Sequence, residues 1–141
     1  MDMTWGFWLV LGFVLGAAFL VFARRRGAQR KRRLLAVGLV VAALIYVGFA
    51  VAWADAAWMM IELGGVLVFT GLAVLGLKRS ALWLAVGWAL HPAWDVGLHL
   101  VGAGAAFAPA WYAVACISFD LLVATYVIAR FRRTPVAPQT V

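Results

Sequence analysis

Charged residues are scarce in this sequence, and acidic residues are the scarcest of them. Five Asp or Glu residues stand against twelve Lys or Arg residues, and only 12% of the 141 residues are charged while 67% are hydrophobic. A soluble domain is nearer a quarter charged, so this composition excludes an ordinary soluble globular protein. Nearly every segment must face lipid or another apolar segment, which predicts an all-α, polytopic membrane protein.

Cysteine is almost absent as well, since the chain has only Cys116. A single thiol excludes an intramolecular disulfide, and Cys116 lies in an apolar run where a small packing residue is expected. No basic residue precedes the first apolar run, which is the wrong order for a cleaved signal peptide. We therefore expect that run to be a membrane span.

Five apolar runs of about twenty residues follow one another, each long enough to cross about 30 Å of hydrocarbon. The sequence predicts one five-span bundle over residues 1–133 and a disordered cytoplasmic tail over residues 134–141. The predicted spans are about 4–23, 34–53, 57–77, 81–101 and 109–129. Gly12 and Gly16 form a G-x-x-x-G pattern that favours close helix approach. Pro92 predicts a kink in the fourth span, and Gly102–Gly104 predict a flexible loop after it.

The basic residues form three clusters, which follow the first, third and fifth predicted spans: Arg24–Arg33, Lys78–Arg79 and Arg130–Arg133. In a five-span chain these three positions lie on the same side of the membrane. Basic loops are retained in the cytoplasm, so Arg24–Arg33 is predicted to be a cytoplasmic loop, with the N-terminus outside and the C-terminus inside. Five tryptophans fall at the opposite ends of the spans, as an aromatic belt would: Trp5, Trp8, Trp53, Trp58 and Trp111. We expect a multi-pass protein of a bacterial-type inner (plasma) membrane.

This topology explains the net charge of +7 better than nucleic-acid binding does. We do not expect nucleic acid as a partner. Membrane lipids are the expected partners, with anionic headgroups at Arg24–Arg33. A homo-oligomer is a further possibility.

Both histidines lie in one stretch of the fourth span, W-A-L-H-P-A-W-D-V-G-L-H, from Trp88 to His99. His91, Asp95 and His99 are spaced by four and so share one face of a helix. Ionisable groups at membrane depth are costly and usually face a bundle interior or a wet cavity. This stripe therefore predicts a buried polar site in the outer half of the bilayer.

Further acidic side chains lie at comparable depths in the third and fifth spans. The candidate catalytic residues are His91, Asp95, His99, Glu62 and Asp120. The residues expected to line the pocket are Trp88, Trp94, Tyr46, Tyr112 and Cys116.

A metal site is the most specific hypothesis, because imidazoles and carboxylates suit zinc or iron. The candidate ligands are His91, Asp95 and His99, although the two histidines lie about 12 Å apart along a straight helix. The residue types in His91–His99, with Asp120, are similar to those of ceramidase-like membrane hydrolases, whose zinc is held by histidines with an acid nearby. Those enzymes use three histidines and seven spans, against two and five here, so their chemistry is not carried over.

Three other functions fit the same residues. A metal-free enzyme could use a buried carboxyl and a histidine for acid/base work on a lipid-like substrate, with Trp88 and Trp94 stabilising a cationic intermediate. A proton- or cation-coupled transporter could use the same groups as a relay. A structural membrane subunit could use them to lock helices, at about 0.6 kcal/mol per hydrogen bond. The sequence leaves these alternatives open.

Overall fold

A computed structural model describes residues 3–132, and within that range the chain is all-helical. The helices are α1 (Met3–Arg24), α2 (Ala28–Trp53), α3 (Ala56–Lys78), α4 (Leu82–Trp94) and α5 (Ala110–Arg132). A π-helical segment, Asp95–Leu100, continues α4, and a short 3₁₀ helix, Ala103–Ala106, precedes α5. The tail predicted for residues 134–141 lies outside the described residues.

Four of these helices, α1, α2, α3 and α5, are long and apolar enough to cross a membrane. Their most apolar stretches have mean hydropathies between 1.9 and 2.7. The α-helical part of the fourth predicted span is shorter, since α4 has only 13 residues. These helices confirm the all-α architecture of membrane type that the composition predicts.

The turn between α1 and α2 is shorter than the loop predicted for Arg24–Arg33. Helix α2 begins at Ala28, so the second half of the basic cluster is helical rather than looped. Arg, Lys and Gln are good helix formers, and their long side chains can carry charge away from an apolar surface. Arg32 Nε donates to the carbonyl of Gly76 at 2.6 Å, which ties the start of α2 to the end of α3.

The two ends of the bundle differ in composition. At one end, which we call the basic end, the guanidinium groups of Arg24 and Arg130 lie 5.1 and 5.8 Å from the ring centroid of Tyr126. At the opposite end, the tryptophan end, the rings of Trp8 and Trp111 are 5.3 Å apart. The ends of α1 and α5 thus separate the basic residues from the tryptophans as the sequence predicts.

Helix α1 packs along α5, α2 packs along α3, and α4 lies against both α3 and α5. A Cβ added to Gly12 would collide with the carbonyl oxygen of Ala115, and one added to Gly16 would lie 3.2 Å from the Cα of Phe119. The close approach predicted from the G-x-x-x-G pattern is therefore confirmed, with α5 as the partner helix. Ser118 Oγ also donates to the carbonyl of Leu9 at 2.6 Å.

The predicted fourth span, residues 81–101, is not one continuous α-helix. The α-helical pattern ends at Trp94, two residues after Pro92, which has no backbone N–H to donate. The N–H of Val101 then bonds to the carbonyl of Val96 at 3.0 Å, five residues back. Such π-helical turns are frequent at functional sites, and this one carries Asp95 and His99.

The loop predicted to be flexible after the fourth span is instead a packed turn. A Cβ on Gly104 would lie 2.6 Å from His99 Nδ1 and 2.7 Å from the carbonyl oxygen of Leu98. Gly104 is buried, so the missing side chain is what lets the turn close over His99. The turn therefore forms the lid of the polar interior at the tryptophan end.

Candidate functional site

The centre of the polar site is a contact between α4 and α5. His91 lies near the end of α4, and its Nδ1 is 2.8 Å from Oδ2 of Asp120 on α5. The same nitrogen is 3.4 Å from Oδ2 of Asp95, one turn further along. All three residues are fully buried, so one imidazole bridges two carboxyl groups in the bundle interior.

A thiol completes this group. Cys116 lies one turn before Asp120 on α5, is buried and is not in a disulfide. One donor atom each from His91, Asp95, Cys116 and Asp120 lies within 4.8 Å of the others. We call these four residues the quartet.

The quartet lacks enough protein partners for its polar atoms. His91 Nε2, Asp120 Oδ1 and both carboxyl oxygens of Asp95 are buried without a hydrogen-bond partner in the described chain. Most buried polar groups in proteins are paired, because leaving one unpaired costs several kcal/mol. Several polar atoms of the quartet are thus unpaired, and two of its residues are carboxylic acids. Such a cluster is suited to hold a cation or to exchange protons.

A second polar group lies beside the quartet, toward the tryptophan end. His99 Nε2 is 3.4 Å from Oε1 of Glu62 on α3, and Trp94 Nε1 donates to Oε2 of the same carboxyl at 3.5 Å. The ring of Tyr46 stacks on that of His99, with centroids 4.0 Å apart and planes 11° from parallel. We call Glu62, His99 and Trp94 the Glu62 group.

Tyr46 connects the two groups. Its ring centroid is 6.1 Å from that of His91 and 4.0 Å from that of His99, and its side chain is almost wholly buried. Buried polar residues therefore follow one another from Glu62 through His99 and Tyr46 to His91, with Tyr46 contacting both histidines through its ring.

The five candidate catalytic residues are divided between these two groups. His91, Asp95 and Asp120 belong to the quartet, whereas Glu62 and His99 form their own pair on the far side of Tyr46. The compact set of possible ligands, the quartet, consequently differs from the candidate ligands His91, Asp95 and His99. Cys116 stands where His99 was expected, because the two histidines lie two turns apart on one helix.

Two of the expected pocket residues also form hydrogen bonds between helices. Trp88 Nε1 donates to the carbonyl of Leu35 on α2 at 3.1 Å, and Tyr112 OH donates to the carbonyl of Ala42 at 3.4 Å. Trp94 belongs to the Glu62 group, and Tyr46 lies between the groups.

Sequence reasoning missed Cys116 as a candidate ligand. The signal was present, since Tyr112, Cys116 and Asp120 repeat at four and share one face of α5. A buried cysteine in an apolar span is usually a packing residue, so only its distance from His91 and Asp95 makes Cys116 a candidate ligand.

The model of a family described as "Family of unknown function (DUF6010)" matches residues 7–133, a range that includes the quartet and the Glu62 group. No curated protein and no solved structure shows significant similarity to the chain. Because the family match covers most of the sequence, the chain belongs to the DUF6010 family, whose function is unknown.

Proposed function

We propose that this protein is a membrane-embedded metalloenzyme that acts on a lipid-like substrate, with the quartet as its metal site. The observation that carries the proposal is the convergence of imidazole, thiol and two carboxyl groups, all buried and several without partners. The site is near the middle of α5, since Asp120 is the eleventh of its 23 residues. A substrate for such a site must reach it from within the membrane, which favours a lipid.

The donor set suits zinc, with iron as the second choice. Zinc accepts nitrogen, sulfur and carboxylate oxygen together, whereas magnesium and calcium prefer oxygen alone. Tetrahedral zinc with bonds of about 2.0–2.3 Å has donors about 3.3–3.8 Å apart. The quartet, whose donors lie within 4.8 Å of one another, would close by about an ångström around the ion.

Each residue would have a definite part in this chemistry. A bound ion of this class supplies a Lewis acid and lowers the pKa of water. His91 would bind the ion through Nδ1, the ring nitrogen that faces the carboxyl groups of both Asp95 and Asp120. If three quartet residues bind the ion, the fourth remains free to accept a proton from water or substrate.

The test is the metal content of the purified protein, measured by mass spectrometry in mild detergent. His91→Ala and His99→Ala are a matched pair, because both histidines are fully buried on the same stretch of helix. We expect near-stoichiometric zinc or iron in the wild type and in His99→Ala, and loss of the metal in a folded His91→Ala protein. Cys116→Ser should weaken binding as well. Equal loss in both histidine variants, or a metal-free wild type, would overturn the proposal.

A metal-free acid/base enzyme is the nearest alternative. The 2.8 Å contact between His91 and Asp120 is short enough for direct proton exchange. This alternative predicts a metal-free wild type whose turnover of a lipid is lost in Asp120→Asn.

A proton path is the second candidate function. It is favoured by the row of buried polar residues that runs from Glu62 through His99 and Tyr46 to the quartet. In proteoliposomes carrying a pH-sensitive dye, this function predicts proton flux that Glu62→Gln abolishes while the protein stays folded. If neither metal, turnover nor flux is found, and the same variants only lower stability, the polar residues serve to lock helices.

We also propose how the chain lies in the membrane. The nineteen residues of α4 and the π-helical segment amount to about 28 Å at α-helical rise, which is close to the hydrocarbon thickness. They would form the fourth of five spans, with the N-terminus outside and the basic end in the cytoplasm. A cleft of about 400 Å³ beside Arg26, Arg30 and Arg33 suits anionic headgroups.

A further inference from the structure

A cavity of about 360 Å³ lies between α1 and α2, with α4 and α5 behind it. Its wall is almost entirely apolar, and the exceptions are Asp120, Cys116 and Tyr112. Its volume falls within the range of about 300–1,000 Å³ typical of small-molecule sites. Two quartet residues therefore form part of a cavity large enough for a ligand.

We infer that this cavity binds the chain of a neutral, single-chain lipid and holds its polar end against the quartet. The inference rests on the proposed function for the role of the quartet, but the binding itself depends only on the cavity. Long-chain alcohols and monoacylglycerols are ligands of this class.

The cavity opens toward lipid because of how the helices pair. Helix α1 packs along α5 and α2 packs along α3, so α1 and α2 separate beyond the short turn that joins them. Leu15 on α1 and Val41 on α2 both line the cavity and are about half exposed, at 52% and 48%. In a membrane their exposed surfaces face acyl chains, so a lipid can enter sideways without crossing water.

Aromatic rings close the cavity toward the basic end. Phe19, Trp88 and Phe119 pack together there, with ring centroids 5.6 to 6.3 Å apart. Gly38 lies against two of these rings, and an added Cβ would be 3.1 Å from Phe19 and 3.2 Å from Trp88. A larger residue at this position would take up part of the space that the lipid's hydrocarbon chain needs.

The charge of the quartet selects the head of the ligand. An anionic carboxylate or phosphate would have to lose its hydration beside two carboxyl groups, which is unfavourable in a low-dielectric interior. Formally, a divalent ion bound to two carboxylates and a thiolate still leaves one negative charge. Asp120 Oδ1 is buried without a hydrogen-bond partner beside the cavity, so a small shift of the wall would let it accept a hydrogen bond from a hydroxyl or amide head.

The experiment uses two photoactivatable probes of equal chain length, one a long-chain alcohol and the other the corresponding carboxylic acid. Both carry a diazirine in the chain and are applied at neutral pH to the full-length protein in detergent. We expect the alcohol to label peptides of α1, α2 or α5, with competition by unlabelled alcohol. The acid should label about ten-fold less, which corresponds to about 1.4 kcal/mol in binding.

Variants test whether the labelled site is this cavity. Ala42→Phe fills it from α2 and should reduce labelling by the alcohol about ten-fold or more. Leu15→Trp blocks the opening from α1 at an exposed position, and provides the same test if Ala42→Phe does not fold. Ala52→Phe is the control, because Ala52 is exposed on the same helix and does not line the cavity.

The outcomes separate this inference from the proposed function. Labelling that survives both cavity variants, or equal labelling by the acid, overturns the inference even if the protein contains metal. Labelling that behaves as expected in a protein without metal supports the cavity as a lipid site and overturns the metal proposal.

Discussion

Trp88 shows how one polar atom ties two helices inside an apolar bundle. Its indole is almost wholly buried, and its Nε1 donates to the carbonyl of Leu35 on α2 at 3.1 Å. From sequence, Trp88 was expected to line a pocket, because it shares the face of His91. The side chain does reach the cavity wall, but its polar atom is used for a contact between helices.

Replacing Trp88 by Phe should therefore lower the free energy of unfolding. The lost hydrogen bond is worth about 0.6 kcal/mol on average in membrane proteins, and the smaller ring adds a packing loss. Unfolding in mixed micelles would measure the difference. Trp83→Phe is the control on the same helix, since Trp83 is 41% exposed. Equal stability of the two variants would mean that the Trp88 contact contributes nothing.

The two histidines show that the spacing of residues along a helix does not predict their partners. His91 and His99 are equivalent in the sequence pattern, yet one joins two carboxyl groups and a thiol while the other pairs with Glu62 and stacks on Tyr46. The different metal retention expected for the two alanine variants follows from this difference in partners.

At the scale of elements, the π-helical segment decides where Asp95 and His99 point. Its wider turn moves residues four apart off the line that they would share on an α-helix. The packed turn at Gly104 then covers His99. The segment and the turn together hold the Glu62 group apart from the quartet.

Two glycines near this segment give a matched test of that packing. Gly104→Ala should destabilise the protein by about 1–3 kcal/mol, the usual cost of overpacking, because the new methyl group would meet His99 and the Leu98 carbonyl. Gly97→Ala should be neutral or slightly stabilising, since nothing lies within 4 Å of an added Cβ there and Ala costs less chain entropy than Gly.

Thermal unfolding and metal content would be measured together for both glycine variants. A folded Gly104→Ala protein should keep its metal, because Gly104 contacts His99 and not the quartet. Tolerance of Gly104→Ala equal to that of Gly97→Ala would show that the turn is not closely packed against His99.

For the whole molecule, the proposed orientation can be tested by labelling exposed cysteines with a membrane-impermeant maleimide. Ala56→Cys lies at the tryptophan end and should react in intact cells. Ala28→Cys lies at the basic end and should react only after permeabilisation, since basic segments are retained in the cytoplasm. The wild type is the control, because Cys116 is buried. The reverse pattern would contradict an outside N-terminus.

The sequence by itself determined the membrane class, the approximate helix positions, the separation of basic residues from tryptophans at the ends of α1 and α5, and the presence of a buried polar stripe. These features depend on composition and on local periodicity, which any stretch of chain carries within itself. The G-x-x-x-G contact was also predictable as a close approach, although not its partner helix.

Only the tertiary structure decided which polar residues meet. Cys116 joins His91, Asp95 and Asp120, while His99 turns to Glu62. The partners of a side chain depend on the rotation of each helix about its axis and on the change from α- to π-helix after Trp94. Those properties follow from how the five helices pack together, and the spacing of residues along one helix does not contain them.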